Sequence, residues 1–329
     1  MSTLETVADH HGIISVADGR RAGLGAPDLE RLVRDGQLVS LARGWYAVGS
    51  PETPEERHAL VTRAMVRSHE GRAVASHHSA LCLLGLPTLR ADWQTVRLSR
   101  VTSGAPRTRK GLSLGRCVPA EAVAAVPDGE PFPVTVVPAL AVLQAGISAG
   151  PLASLVAADG ALHQKLILPQ DLDVALGWVQ HHPRTSMLRP FLQLADARHA
   201  SPGETRLRHA FHLMCLAVTP QHRVAAPGFL AFVDFVLDGL KVAIEFDGKV
   251  KYGRTLDAVD SRGRRLSPEE VLWAEKRRED RLRELGYEVV RVVWSELDNP
   301  AALARRIRAA IARARARGPA GLLTLSQAG

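Results

Sequence analysis

The stretch from Ala231 to Gly248 reads AFVDFVLDGLKVAIEFDG, two apolar alternations on either side of Asp238-Gly239. Asp-Gly in that setting is a strong hairpin signal, because a tight primed turn needs positive φ at its central residues. This part of the chain is thereby committed to an antiparallel sheet. A two-residue loop pairs Leu237 with Leu240, Asp234 with Ala243 and Phe232 with Glu245. Side chains alternate by two along a strand, so Val233, Phe235, Val242, Ile244 and Phe246 share an apolar face. The opposite face carries Asp234, Glu245 and Asp247. In this register Asp234 and Glu245 are diagonal neighbours, about 7–8 Å apart at the backbone.

Three acids on one strand face repel each other, and a partly buried charge is costly unless it is paired. Such a set suits a hard divalent cation, since Mg²⁺ takes a few carboxylates and several waters. The expected Mg²⁺ ligands are Asp234 and Glu245, assisted by Asp247, with Mn²⁺ able to substitute. The competing reading is an exposed strand end whose acids are met by nearby arginines. Upstream, SPGETRLRHAFHLM has Ser201 as N-cap, Pro202 in the first turn and Glu204 at N3, a capping box. Glu204 heads a helical stripe of Leu207, Phe211 and Met214. Downstream, SPEEVLWAEKRREDRLRELG reads as a helix capped by Ser267 and Glu270 and stopped by Gly286. Its apolar stripe of Val271, Leu282 and Leu285 also holds Glu275 and Arg278. Charges on a core-facing stripe suggest contact with the acids, and Arg278 can orient a carboxylate or a phosphate. YEVVRVVWSEL reads as a strand. A final helix has Leu303, Ile307 and Ile311 on one face and six arginines around the rest.

This ordered set resembles the Vsr-like branch of the PD-(D/E)xK nuclease superfamily, across about residues 200–312. The motifs that carry it are a helix Glu, a strand Asp, a hairpin, E-x-D-G, a polar loop, E-K-R-R-E-D-x-L-x-x-L-G and V-V-R-V-V-W. The resemblance implies an αβββαβ core and Mg²⁺-dependent cleavage of DNA phosphodiesters. It places Asp234 and Glu245 as metal ligands, Glu204 as the helix acid, and Glu275 and Arg278 as the acid and arginine of the later helix. Asp247 stands where the wider superfamily has a lysine. Lys251, or else Lys249, is the expected source of that positive charge.

The N-terminal part has a different pattern. Ser15 with Asp18 caps a short helix, and APDLERLVRDG forms a second, with Leu29, Leu32 and Val33 on one face and Gly36 as stop. QLVSLARGWYAVG then alternates as a hairpin turning near Arg43-Gly44. Helix, turn, helix, hairpin is the order of a winged helix-turn-helix, which places its second helix in the major groove. The expected DNA contacts are Arg20, Arg21, Arg31 and Arg34, with Arg43 in the wing. A net charge of +8 and an isoelectric point near 9.9 favour a polyanionic partner, nucleic acid first. Further on, ASHHSALCLLGLP reads as a helix, TVRLSR as a strand, RVTSGAPRTRKG as a basic loop and FPVTVVPALAVLQAG as a strand running into a helix. This half resembles the AbiEi-type antitoxins of bacterial abortive-infection systems, over most of residues 10–175. That implies a DNA-binding autorepressor with an interaction domain and a cognate toxin encoded separately.

The pairs His10-His11, His77-His78 and His181-His182 lack the second ligand pair that zinc spacing requires, and are read as surface or helix-end histidines. Cys82, Cys117 and Cys215 are read as reduced thiols. No export signal or membrane span is visible, so the expected location is the cytoplasm. The expected architecture is an α+β multidomain chain. It comprises a winged helix-turn-helix at 1–50, a mixed α/β middle domain at 51–196, a restriction-endonuclease-like αβββαβ domain at 197–317 and a tail at 318–329. The expected activity is a DNA endonuclease of phage defence or DNA repair. The alternative is a non-catalytic repressor or antitoxin with a degenerate nuclease domain.

Overall fold

The computed structural model describes residues 3–248, 264 and 267–318. Lys249, Lys251 and most of the polar loop after them lie outside the described residues. The chain divides into two units, Met1–Ala197 and Arg198–Gly329.

The first unit begins with α1 (Thr3–Val7), β1 (Ile13–Ser15), α2 (Val16–Arg21), α3 (Ala26–Arg34), β2 (Leu38–Ala42) and β3 (Trp45–Val48). The expected capping box is present: the Ser15 Oγ accepts from Asp18 N at 3.1 Å, and the Asp18 carboxylate accepts from Ser15 N at 2.8 Å. Leu29 of α3 is buried against Ile14, Leu38 and Tyr46, with Leu32 and Val33 packed beside it. Gly36 ends α3 at φ +72, a conformation that favours glycine. The wing turns between Ala42 and Trp45, as expected. β1 adds to the wing, giving the order β1-β3-β2. At three residues, its alternation is too short to announce a strand.

The rest of the unit holds α4 (Pro54–Ser68), β4 (Ala73–Ala75), α5 (His77–Leu83), β5 (Val96–Arg100), β6 (Arg107–Arg109), β7 (Leu112–Cys117), α6 (Pro138–Ala149), α7 (Pro151–His163), α8 (Pro169–Trp178) and α9 (Arg189–Leu192). Four strands form a sheet in the order β4-β5-β7-β6. Two expectations need correction. The basic stretch after Arg100 is not all loop, because β6 pairs antiparallel with β7. All three β6 residues are exposed, so no apolar alternation reveals this edge strand. The strand expected before α6 is reduced to isolated bridges at Thr135 and Val136. Pro133 and Pro138 bracket it and lack the N–H groups that would extend a ladder.

Arg67 of α4 anchors the winged part. It bonds Asp9 at 2.6 Å and Asp18 at 3.1 Å, and its guanidinium lies 5.2 Å from the Trp45 ring centre. Arg67→Ala should lower stability by about 1–3 kcal/mol, since it takes from Asp9 its arginine partner and leaves Asp18 only the exposed Arg21. Arg72→Ala, which removes an exposed pair with Glu70, should change it by less than about 0.5 kcal/mol. Urea unfolding of both variants checks this, and equal shifts would remove the anchor role.

The second unit runs α10 (Pro202–Leu213), β8 (Val218–Ala226), β9 (Phe229–Leu237), β10 (Val242–Asp247), α11 (Pro268–Glu284), β11 (Glu288–Val293), α12 (Trp294–Leu297) and α13 (Pro300–Ala316). The sheet order is β11-β10-β9-β8, antiparallel except for the parallel pair β10–β11. Phe235, Leu237, Val242 and Ile244 pack with Leu207 and Phe211 of α10 and with Leu303 and Ile307 of α13. Val236 and Ala243 pack with Leu282 of α11 and with Tyr287.

The hairpin register differs from the expected one. Val236 pairs with Ala243 and Phe235 with Ile244. The loop takes four residues, Asp238 to Lys241, because Leu240 N donates back to Leu237 O at 3.1 Å and Val242 N to Leu240 O at 2.9 Å. A shift of two keeps Phe235, Val242 and Ile244 on one face and Val236 and Ala243 on the other, but Val233, expected beside Phe235, packs instead with Val236, Ala243 and Leu282. Beyond Phe235–Ile244 the Asp234 carboxylate, rather than a backbone carbonyl, accepts from Phe246 N at 2.7 Å.

Candidate functional site

Asp234 is an acid of the second unit held above the ordinary carboxylate range. Its carboxylate accepts from Phe246 N at 2.7 Å. Burial, helped by the nearby Glu204 and Glu245 charges, nevertheless pushes its pKa up to about 6, against that hydrogen bond and Arg278. Glu245 has the opposite environment. Arg278 approaches its Oε1 at 2.6 Å and Arg291 its Oε2 at 3.9 Å. The Arg278 contact is close but poorly aligned, and Oε1 is buried without a hydrogen bond. Arg278 is held by donating to Phe232 O.

Glu204 is buried at the head of α10 and closes its own cap. It accepts from the Ser201 hydroxyl at 2.8 Å, Ala200 N at 3.1 Å and Gln221 Nε2 at 3.3 Å. Asp247 is half-buried at the end of β10, in register with Val293. Glu275 lies 3.8 Å from Arg291, which also meets Glu279 at 3.2 Å. Sequence reasoning assigned no role to Arg291 or Gln221. Arg291 carried no local signal, because only the parallel register with β11 sets it beside Glu245. Gln221 carried none, because β8 itself was not located.

These acids do not all converge. Among the described residues, three potential ligand atoms lie within 4.8 Å of one another at one place, His10, His11 and Glu130. Glu130 there already has Arg63 at 3.6 Å. In the second unit, Asp234 and Glu245 form a pair, with Glu204 and Asp247 at its margins. The pair fits a divalent cation in two respects: Glu245 has an orphaned oxygen, and burial with two neighbouring acids raises the Asp234 pKa, a cost that a bound cation relieves. Arg278 is the competing cation.

Among the described residues, His77 and His78 belong to no such cluster. His77 opens α5, and burial lowers its pKa to about 3. His78 is buried rather than on the surface, with a pKa lowered to about 4 by burial and by His58. His58 Nε2 meets Ser79 Oγ at 2.8 Å, but that hydroxyl is fully buried and also accepts from Arg97 N at 2.9 Å. This is a satisfied core network.

In the first unit, Arg20, Arg21, Arg31, Arg34 and Arg43 are all exposed on the helix pair and wing. Arg21 pairs with Asp18, and Arg31 with Asp28 at 3.0 Å. The Arg31–Asp28 pair lies at a solvated surface, where an arginine exchanges a carboxylate for a phosphate at little cost.

The comparisons bear on this same segment. Residues 2–49 match the family described as transcriptional regulator, AbiEi antitoxin. The match takes in α1 through β3. The wider resemblances, to the antitoxins beyond residue 49 and to Vsr-like nucleases over 200–312, rest on the residues alone. Among solved structures, the RV2827C protein from Mycobacterium tuberculosis is similar at 17% identity, over 65% of this chain and 84% of that one, with a TM-score of 0.35. No curated protein matches the sequence. No helix among the described residues is long and apolar enough to cross a membrane.

Proposed function

We propose that the chain is a DNA-binding transcriptional regulator of the antitoxin class, acting in the cytoplasm on bacterial DNA and paired with a cognate toxin. The observation that supports this most is the winged helix-turn-helix at residues 2–49, with α3 and the wing presenting exposed arginines. Base-edge contacts by such a helix specify sequence, while flanking arginines hold phosphates. Arg31→Ala with Arg34→Ala should weaken binding to DNA from upstream of the chain's own gene by tenfold or more. Removing each phosphate-bound arginine should flatten the slope of log affinity against log salt by about one. Fluorescence anisotropy at several salt concentrations measures both, and unchanged affinity and slope would reject α3 as the reading helix.

A second reading, metal-dependent hydrolysis of DNA phosphodiesters by the second unit, is favoured by the Asp234–Glu245 pair. Asp234 and Glu245 would hold Mg²⁺ or Mn²⁺, which when bound supplies positive charge and an acidified water at a phosphate. Arg278 orients Glu245, and Asp247 and Glu204 flank the pair. Lys251, or else Lys249, is the proposed positive group. Incubation of plasmid and single-stranded DNA with Mg²⁺ or Mn²⁺, beside EDTA and Glu245→Ala, separates the readings. Metal-dependent products that vanish in the variant establish a hydrolase. Intact DNA on every substrate leaves a regulator whose acids have lost that use.

A further inference from the structure

A cavity of about 780 Å³ lies in the first unit between the wing, α4 and the β6–β7 hairpin. Four cations line it: Arg43 from the wing, Arg57 from α4, and Arg109 and Lys110 from the hairpin. Among the described residues, no carboxylate lines it. Arg57 is fixed there by donating to Ser40 O at 3.0 Å. Trp45 and Trp93 contribute indole rings, and Leu41, Val61 and Leu112 contribute apolar wall. Small-molecule sites have this size and this mixture of apolar wall and few polar groups.

Each part restricts the occupant. Four uncompensated cations select an anion with several negative oxygens, because arginine forks match phosphate geometry. The indoles and aliphatic wall select a planar, weakly polar ring, since aromatic faces stack on bases of any identity. A carboxylic acid lacks the charge, and inorganic phosphate leaves the apolar wall empty.

We propose that this cavity binds a nucleoside phosphate, its phosphates held by Arg43, Arg57, Arg109 and Lys110 and its base against the tryptophan-lined wall. A free nucleotide and the phosphorylated end of a single strand share this chemistry. The site is separate from the α3 surface and shares one residue with the DNA-binding reading, Arg43.

The test uses the full chain. ATP, adenosine, pyrophosphate and a ten-nucleotide single strand, with and without a 5′-phosphate, are titrated by calorimetry and by tryptophan fluorescence. ATP or the phosphorylated strand should bind at least tenfold more tightly than adenosine or pyrophosphate. Which of the two binds identifies the source. Arg109→Glu with Lys110→Glu, both exposed on the hairpin, should weaken this binding tenfold or more with the melting temperature unchanged. If the double variant unfolds, Lys110→Glu alone should still weaken it several-fold. Trp93→Phe should keep the binding heat and reduce the fluorescence change. Absence of binding at millimolar ATP and strand, pyrophosphate binding as tight as ATP, or a folded charge-reversed variant binding normally would each overturn the proposal. Duplex binding, tested in parallel with Arg31→Ala and Arg34→Ala, stands or falls separately, because neither residue lines the cavity.

Discussion

Gly203→Ala should destabilise the second unit by about 3 kcal/mol, a large loss for one methyl group. A Cβ at position 203 would lie 2.0–2.3 Å from three ring atoms of Phe246. Neither partner is free to yield. Gly203 sits in the first turn of α10, whose Ser201 cap fixes the helix start. The Phe246 ring is held edge-to-face on Trp294, with centroids 4.9 Å apart. Inserting one carbon into a packed site costs about 1–3 kcal/mol, and more where the obstacle is a locked ring. Gly177→Ala is the contrast. That glycine is in α8 with nothing within 4 Å of its added Cβ, so the change should stabilise by about 0.5–1 kcal/mol. Thermal and urea unfolding measure both. Pairing Gly203→Ala with Phe246→Leu should recover part of the loss. Equal effects at positions 203 and 177 would refute the packing account.

Asp234→Asn should make the protein more stable at pH 8 by about 1–3 kcal/mol and leave it nearly unchanged at pH 3.5. The native pKa is raised by burial to about 6 from an ordinary 3.8. The folded state therefore binds this proton more tightly than the unfolded state. Stability from the group is fully present below about 3.8, is lost as pH rises to about 6, and stays lost above. A shift of about two units corresponds to at most about 3 kcal/mol. Asparagine keeps a carbonyl oxygen for Phe246 N and has no charge to desolvate, so the pH dependence between 4 and 6 should flatten. The same variant tests the cation. If Asp234 and Glu245 bind a metal, Mg²⁺ or Mn²⁺ should raise the melting temperature of the parent at pH 8, and little at pH 5 or in Asp234→Asn. An unaltered pH profile in Asp234→Asn would show that this carboxyl titrates normally.

The local rules of helix starts and stops were legible, because they depend on a few adjacent residues. Ser15 with Asp18, Gly36, Ser201 and Ser267 all cap or stop helices where their neighbours say they should. The facial pattern beside the hairpin, Phe235, Leu237, Val242 and Ile244 on one side and Val236 and Ala243 on the other, was legible for a similar reason, since alternation survives any even slip. The pairing itself was not, because Leu240 and Lys241 joined the loop through backbone bonds that leave no trace in composition. β8 and β6 were hidden by polar or exposed residues. The acid pair was visible from alternation, but the counter-charge on Glu245 needed the parallel neighbour β11, and no local pattern pairs Glu245 with Arg291.

The three-stranded sheet of the wing has apolar residues on both sides. One side covers α3, while Ile13, Leu41 and Ala47 belong to the same core as Leu81 and Leu140. A module built this way is not a bead on a string. Cut after residue 50, it would carry an oily back into water, and Arg67 would leave with the other fragment. A recombination event that moved this winged helix to a new host would need to take α4 along, or find a recipient with a matching apolar seat. The gene segment of 48 residues recognised by sequence is therefore shorter than the segment able to travel alone.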